Sequence, residues 1–187
     1  MNLTKVFNTR IVLILLAFSL LLGMIASLLC SCVETLIYPR DYNDFVSKYA
    51  EKYGVPEELV FAVIKAESNF KSDVVSRVGA VGLMQVLPST SEWLSQYHFY
   101  ENNSAISLYD PETNIRYGVY YLQYLFSKFG SWEKAIIAYN WGEGNFSAFL
   151  ESNDYVEGKY SSIPVKETRN YVKKVMRYYQ TYQRLYK

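Results

Sequence analysis

The feature that most constrains this chain is an uncharged apolar run of 23 residues at positions 11–33. About 20 apolar residues in a helix span the hydrocarbon core of a bilayer, whereas the apolar segments of buried helices are usually shorter. Lys5 and Arg10 precede the run, and Glu34 follows it directly. Because basic residues favour the cytoplasmic side of a membrane, the pattern predicts a cytoplasmic tail at 1–10, a transmembrane anchor at 11–33 and the remainder outside the cytoplasm.

Two other interpretations of the apolar run stay open. A cleaved signal peptide would also export the chain, although such signals usually have a shorter apolar core and a small-residue cleavage site. The sequence Leu29-Cys30-Ser31-Cys32 resembles a lipobox, in which Cys32 would carry a lipid anchor, although a cysteine at position 30 is unusual there. If the run is an uncleaved anchor, both cysteines are small apolar residues of the span.

The charge and the cysteine and histidine content of the remainder exclude several classes of protein. The chain has 19 Lys and Arg and 18 Asp and Glu, so residues 34–187 carry 17 basic and 18 acidic groups. The resulting net charge of −1 differs from the strongly positive charge that is typical of a nucleic-acid-binding domain. This part contains no cysteine, and its single histidine, His98, has no histidine or cysteine partner at ligand spacing. We therefore expect no nucleic-acid partner, metal or other cofactor.

Residues 43–187 have the apolar periodicity of short helices that are separated by strong capping signals. Two helices are predicted to end at Gly54 and Gly130, where glycine accepts a left-handed conformation. Asp110 and Ser131 are predicted N-caps, since their side chains can accept from free backbone amides. No repeat, low-complexity tract or linker interrupts the pattern. The sequence therefore predicts one mainly α domain.

Four further features complete the predicted organisation. Residues 34–42 form a short connector between the apolar run and the domain. Gly142 and Gly144 break the helix that precedes them, because glycine weakens a helix interior. Residues 151–163 form a polar loop. Pro164 starts the last helix, since proline suits the first turn.

Glu67 departs from the amphipathic pattern of its helix. It follows Ile64 by three residues and Val63 by four, which places it on the apolar stripe. It also stands at the C-terminal end of the helix, where the dipole disfavours an anion. Partial burial and the dipole both raise the pKa of a carboxyl group, and an acid that keeps its proton near neutral pH can protonate a glycosidic leaving oxygen. The alternative is a structural Glu67 that frays to solvent or caps a nearby amide.

Four blocks of residues occur in order along the predicted domain. They are Glu67-Ser68-Asn69-Phe70; residues 76–85 with Pro88 and Thr90; Ala138-Tyr139-Asn140 with Gly142 and Gly144; and Pro164, Glu167, Thr168, Tyr171 and Val172. Together they resemble the signature of the soluble lytic transglycosylase catalytic domain, from about residue 43 to residue 182. The resemblance implies a lysozyme-like, mainly helical single domain with a substrate groove. It also implies that peptidoglycan strands are cleaved between N-acetylmuramic acid and N-acetylglucosamine, leaving a 1,6-anhydro end.

The resemblance also assigns roles to individual residues. Glu67 matches the catalytic group, which first protonates the leaving oxygen and then removes the proton of the C6 hydroxyl. A single carboxyl of this kind is an exception to the two-carboxylate rule of glycosidases. The residues matched to substrate binding are Ser68, Met84, Gln85, Tyr139, Asn140 and Tyr171. Core packing stays an alternative for Met84, Tyr139 and Tyr171.

Two positions differ from the family pattern or vary within it, and two other functions stay open. Trp141 occupies a position that is commonly small in the family, which affects the width of the groove or the length of glycan accepted. Glu143 occupies a variable position and is not predicted to be a second catalytic acid. The rival functions are a goose-type lysozyme-like hydrolase and a non-catalytic wall-binding module. A wall-spanning secretion, conjugation or sporulation apparatus is a further conceivable partner.

The apolar run predicts that the native protein sediments with membranes and keeps residues 1–33, because an uncleaved span stays in the bilayer. Fractionation followed by intact-mass analysis measures both properties. Cys32→Ser is the matched control, since it leaves a transmembrane anchor unaffected and abolishes lipid attachment. A mature chain that begins at a lipidated Cys32 would instead establish the lipoprotein.

Overall fold

A computed structural model of the chain describes residues 3–99, 107–152 and 154–186, with the backbone alone at residues 3–10, 30 and 31. The chain divides into two compact units, Met1–Pro39 and Arg40–Lys187. The side chains of the predicted cytoplasmic tail and of Cys30 lie outside the described residues.

The described residues of the first unit form one helix, α1 (Leu3–Ile37), and a short stretch that follows it. Its segment Ile11–Ile37 has a mean hydropathy of 2.8 and is long and apolar enough to cross a membrane, a property that signal sequences share. The helix includes residues 34–37, so the connector predicted at 34–42 is partly helical. Nothing in those four residues breaks a helix, and the chain leaves the helical conformation just before Pro39, as the steric demands of proline require.

The second unit consists, in its described residues, of helices and turns. The helices are α2 (Asn43–Tyr53), α3 (Glu57–Glu67), α4 (Pro88–Leu94), α5 (Pro111–Phe129), α6 (Trp132–Trp141), α7 (Glu143–Glu151) and α8 (Lys166–Tyr186). A π-helical turn, Ser95–Phe99, follows α4, and a 3₁₀ turn, Tyr160–Ser162, precedes α8. The described residues contain no strand, only isolated bridges from Val81 to Val75 and Val86. The predicted mainly α fold is confirmed.

Helix α3 lies at the centre of this unit. Its residues 59–64 are all buried, with at most 1% of any side chain exposed. A helix that is apolar on every side must be surrounded, and α3 packs along α8 and against α2. The buried surface of α3 therefore extends around the whole helix and is wider than the apolar stripe predicted from the sequence. Because Glu67 is the last residue of α3, the packing of this helix determines where its carboxyl lies.

The predicted caps occupy their expected places. The Asp110 side chain accepts from the Thr113 amide at 2.8 Å, and the Ser131 hydroxyl accepts from the Lys134 amide at 3.3 Å. Gly130 ends α5 with a φ of 78°. These local signals fix the ends of α5 and the start of α6 before any long-range packing is considered.

The prediction that Gly144 breaks a helix is wrong. Gly142 ends α6 with a φ of 91°, but Gly144 lies inside α7, which extends to Glu151. A glycine weakens an isolated helix by about 1 kcal/mol relative to alanine, and packing of Phe146 opposes this loss. Phe146 is fully buried, and its ring lies 5.1 Å from that of Phe129. The predicted loop at 151–163 correspondingly begins after Glu151 and contains the 3₁₀ turn.

The buried side chain of Asn114 on α5 makes three hydrogen bonds at the segment between α3 and α4 and at the residues before α5. Its Nδ2 donates to the carbonyl oxygens of Val81 and Leu108, and its Oδ1 accepts from the Met84 amide, each at 2.8 Å. Gly82 makes this approach possible, because an added Cβ would lie 2.3 Å from Asn114 Nδ2. Its φ of +78° also suits glycine. The segment is therefore docked on α5 through backbone groups.

Replacing Asn114 with alanine is expected to destabilise the domain by about 3–5 kcal/mol, because three buried backbone groups lose their partners. Thermal unfolding of the detergent-solubilised chain, followed by near-ultraviolet circular dichroism, measures the change. Gln123→Ala is the matched control on the same helix, since Gln123 makes an exposed hydrogen bond to Ser127. Equal melting temperatures for the two variants would contradict the role assigned to Asn114.

Candidate active site

The site is centred on the Glu67 carboxyl at the C-terminal end of α3. Its Oε1 accepts a hydrogen bond from the Tyr171 hydroxyl at 2.5 Å. Tyr171 lies on α8 and is only 7% exposed, so its ring cannot turn away from this position. The packing of α3 against α8 therefore brings together two residues that are 104 positions apart in the sequence.

The pKa of Glu67 is raised from its ordinary value of 4.5 to about 7. Burial is the dominant cause, because removal from water disfavours the ionised form. The hydrogen bond from Tyr171 and the positive charge of Lys174 oppose this effect. The Lys174 ammonium group donates to the Ala66 carbonyl at 2.8 Å. The carboxyl is therefore close to half-protonated at neutral pH.

A cavity of about 360 Å³ opens beside the carboxyl. It is lined by Ala66, Glu67, Asn140, Glu167, Asn170, Tyr171 and Lys174. Apart from Ala66, every lining residue carries a hydrogen-bonding side chain. This volume lies in the range of small-molecule sites, and the polar lining suits a ligand that has many hydroxyl or amide groups.

Tyr139 and Asn140, at the end of α6, form the neighbouring wall. The Tyr139 hydroxyl donates to the Met84 carbonyl at 2.7 Å. Burial, and then the nearby charge of Glu67, raises the pKa of Tyr139 well above its ordinary value, so the phenol stays a donor. Asn140 lines the Glu67 cavity and also the next cavity along the surface. Both residues thus lie near the carboxyl.

Ser68 and Met84, predicted to bind substrate, lie below the surface. The Ser68 hydroxyl donates to the Leu83 carbonyl at 2.8 Å, and its side chain is 7% exposed. Met84 is fully buried, because Gly118 leaves room for its sulfur. Neither residue lines the cavities described, and both position the segment that follows α3. The Met84 side chain therefore packs in the core, which was the alternative to substrate binding.

Gln85 lines a cavity and also donates hydrogen bonds to the backbone of the segment between α3 and α4. It lines the cavity beyond Asn140, and its Nε2 donates to the carbonyls of Val74 at 3.0 Å and Gly82 at 2.9 Å. Its φ of 50° is a left-handed conformation, as are those of Asn69 and Phe70, at 50° and 65°. Such conformations cost about 1–3 kcal/mol each and persist only where the surroundings enforce them.

The polar residues Glu167, Asn170 and Lys174 line the cavity without being predicted site residues. Together with Tyr171 they occupy positions i, i+3, i+4 and i+7 on α8, which lie on one face of a helix, so a helical projection could have found them. Glu167 places a second, exposed carboxyl on the cavity. The described parts of the chain contain no cluster of side chains that could hold a metal.

Comparison with known proteins identifies the family and agrees with this fold. The family profile described as "Transglycosylase SLT domain" matches residues 44–161. The soluble lytic murein transglycosylase of Escherichia coli K12 is 36% identical over 150 residues, which cover 75% of this chain and 23% of that protein. Membrane-bound lytic murein transglycosylase C of Edwardsiella ictaluri is 32% identical over 168 residues, covering 77% of this chain and 47% of that protein. The chain thus spans only about a quarter to a half of these relatives.

A solved structure extends the likeness to three dimensions. The 70 kDa soluble lytic transglycosylase of Escherichia coli superposes with a TM-score of 0.72 at 34% identity, over 81% of this chain and 25% of that one. The fold is accordingly lysozyme-like. The profile match, the sequence identity and the superposition together show that this chain belongs to the transglycosylase SLT domain family.

Proposed function

We propose that this chain is a peptidoglycan lytic transglycosylase that cleaves the β-1,4 bond between N-acetylmuramic acid and N-acetylglucosamine. The observation that carries the proposal is the Glu67 carboxyl, whose pKa is about 7, at the edge of a polar cavity. A group of this kind can donate a proton and later accept one at the same pH. The names of the relatives, which are lytic murein transglycosylases, support the substrate class.

In the first step, neutral Glu67 gives its proton to the glycosidic oxygen, and the bond from that oxygen to C1 of N-acetylmuramic acid breaks. The substrate's own acetamido oxygen stabilises the positive charge at C1, as in substrate-assisted glycosidases. The carboxylate left behind accepts the Tyr171 hydrogen bond, which is stronger to an ionised acceptor. Tyr171 thereby stabilises the product of the proton transfer.

In the second step, the Glu67 carboxylate removes the proton of the C6 hydroxyl, and O6 attacks C1. The new O6–C1 bond closes a 1,6-anhydro ring, and the acetamido group is released. Glu67 regains its proton and is ready for another strand, so no water is consumed. One carboxyl serves both steps because burial raises its pKa to about 7. Its neutral and ionised forms are then both accessible near neutral pH.

A second candidate function is hydrolysis of the same bond in the manner of goose-type lysozyme. The observation that favours it is Glu167, which lines the Glu67 cavity and could hold a water molecule against C1. Inverting glycosidases use two carboxyls about 6.5–9.5 Å apart with the attacking water between them. The two functions give different products.

We also propose that the domain acts outside the cytoplasm from a membrane anchor. The apolar segment Ile11–Ile37 can span a bilayer, and Lys5 and Arg10 lie before it. Relatives named as membrane-bound support an association with a membrane. Peptidoglycan lies on that side of the membrane, within reach of a tethered domain. A lipid anchor at Cys32 would place the domain on the same side.

Incubation of the full-length protein, in detergent, with isolated peptidoglycan is expected to release 1,6-anhydro muropeptides. Mass spectrometry detects them as fragments one water lighter than the hydrolysis products. Reducing ends in their place would establish the hydrolase, and Glu167→Gln would then be expected to abolish that hydrolysis. Intact strands with the wild-type protein would contradict both functions.

Glu67→Gln is expected to lower turnover about 100-fold or more, because general acid–base catalysis contributes at least this factor. The fold should survive. The raised pKa means that ionisation of Glu67 destabilises the native state, so its contribution to stability is complete below pH 4.5 and is lost as the pH rises through about 7. A glutamine, which stays neutral, is expected to add on the order of 3 kcal/mol above pH 7. Glu151→Gln, at the exposed end of α7, is the control and should keep full activity.

The value of kcat/KM is expected to fall about tenfold per pH unit above pH 7, because the free enzyme must carry the Glu67 proton. Tyr171→Phe should move this decline to higher pH, since the lost hydrogen bond stabilises the carboxylate and lowers the pKa of Glu67. Initial rates between pH 5 and 9 on soluble glycan fragments measure the shift. A decline that stays in place or moves to lower pH would contradict the assignment.

A further inference from the structure

Charge is distributed unevenly between the last helix and the rest of the chain that follows the apolar run. Residues 34–165 contain 10 basic and 17 acidic groups, whereas residues 166–187 contain 7 basic groups and one acidic group. The first part therefore has a net charge of −7 and the second a net charge of +6. The second part consists of α8 and the residue that follows it. The near-neutral total thus combines an acidic body with a strongly basic last helix.

Four of these basic residues form a stripe along one side of α8, which we call the basic stripe: Lys166, Arg169, Lys173 and Arg177. They occupy positions i, i+3, i+7 and i+11, which return to the same side of a helix. Arg169 is partly exposed, and the other three are exposed. The ion pairs among the described residues do not involve the stripe. The stripe therefore presents four positive charges to solvent over about 17 Å.

The basic stripe opposes the stability of its own helix. Arg169 and Lys173 are a like-charged pair four residues apart, as are Lys173 and Arg177, and such pairs destabilise a helix. Lys166 stands in the first turn of α8, where the positive end of the helix dipole disfavours a cation. A surface that serves solubility alone usually intersperses both signs of charge. A stripe of one sign therefore indicates a requirement from outside the helix, and an anionic surface is the complementary partner.

The C-terminal end of α8 lies where the domain begins. Arg40 is the first residue of the second unit, and its guanidinium group lies 5.2 Å from the ring centre of Tyr186 and 5.0 Å from that of Phe61. Its Nη2 also pairs with the Glu57 carboxylate at 2.7 Å. Only two residues separate Arg40 from the end of the apolar segment, and an extended chain spans at most about 3.6 Å per residue. Under the proposed anchor, so short a connection keeps this end of α8 near the bilayer surface.

We propose that the basic stripe docks α8 against the anionic lipid headgroups of the membrane that holds the anchor. The cations bind lipid phosphates, while the apolar side of α8 stays packed in the domain. The α8 residues that line the Glu67 cavity, among them Asn170 and Lys174, lie about a quarter of a turn around the helix from the stripe. The cavity therefore stays open in the docked domain.

The short connection favours a lipid surface over an anionic wall polymer as the partner. It limits the distance of the domain from the membrane, whereas nothing in the described residues limits its distance from such a polymer. Docking would direct the enzyme to the glycan strands nearest the membrane. This inference rests on the membrane anchor and the outside location of the proposed function, and not on the products of cleavage.

The test follows the position of α8 in the full-length protein, reconstituted into vesicles of phosphatidylcholine with or without anionic phosphatidylglycerol. A fluorescent donor is attached at Gln180→Cys, an exposed site on the same side of α8 as the stripe, with Cys30→Ser and Cys32→Ser to remove competing thiols. Time-resolved energy transfer to acceptors on the lipid headgroups separates docked from undocked molecules. We expect docking only with phosphatidylglycerol, and its loss in about 1 M salt, where the Debye length is about 3 Å.

Replacing Lys166, Lys173 and Arg177 together with glutamine should lower the ratio of docked to undocked molecules about 100-fold, since each basic residue near an anionic surface contributes about fivefold. The matched control, Lys166→Arg, Lys173→Arg and Arg177→Lys, keeps the charges and should dock like the wild type. All three sites are exposed and outside the Glu67 cavity, so near-ultraviolet circular dichroism should be unchanged in both variants. A donor at Ser127→Cys, an exposed site on α5, measures energy transfer that does not depend on α8.

Equal docking on neutral and anionic vesicles would overturn the proposal, as would docking that survives the glutamine substitutions. Binding of soluble polyphosphate through the stripe, without approach to anionic vesicles, would also overturn it and assign the stripe to an anionic wall polymer. Protein that does not float with the vesicles would refute the anchor and the docking together. Charge-dependent docking by a protein that releases no anhydro fragments would support the inference and refute the proposed cleavage alone.

Discussion

The burial of one carboxyl group at the end of an apolar helix is the constraint on which the site depends. Burial alone would raise the pKa of Glu67 further and hold it as the neutral acid, which would give up its proton less readily. A direct ion pair with Lys174 would keep it ionised and leave no proton to donate. Instead, Tyr171 donates to the carboxylate and Lys174 is bonded to the Ala66 carbonyl, so the pKa settles at about 7. Proton donation and acceptance are then both accessible near neutral pH.

The position of that carboxyl is secured by polar groups that never reach the cavity. Asn114 fixes the segment after α3 to α5, and the hydroxyls of Ser68 and Tyr139 bind the carbonyls of Leu83 and Met84. The end of α3 and the helices α5 and α6 are thus joined through backbone atoms of one short segment. This explains how the segment retains left-handed conformations at non-glycine residues such as Gln85. Their cost is offset by hydrogen bonds that require this backbone path.

The features that the sequence predicted well are those with local causes. Caps such as Asp110 and Gly130 act within one turn of helix, and the spacing of Glu67 from Ile64 is a property of a single helix. The features that it did not predict depend on distant residues. Gly144 is helical because Phe146 packs against Phe129, and Met84 is buried because Gly118, 34 positions later, leaves space for it. Asn114 makes bonds to residues 30 and 33 positions away, which no periodicity in the sequence reveals.

Glu67 and Glu143 show how surroundings assign different uses to one residue type. Glu67 is largely removed from water, and among the described residues its carboxyl has one hydrogen-bond donor, Tyr171. Glu143 is partly exposed and has both a tyrosine hydroxyl and a lysine ammonium group on one oxygen. Under the proposed function, Glu67 is therefore placed to exchange a proton, whereas Glu143 joins α7 to α5 through two polar contacts.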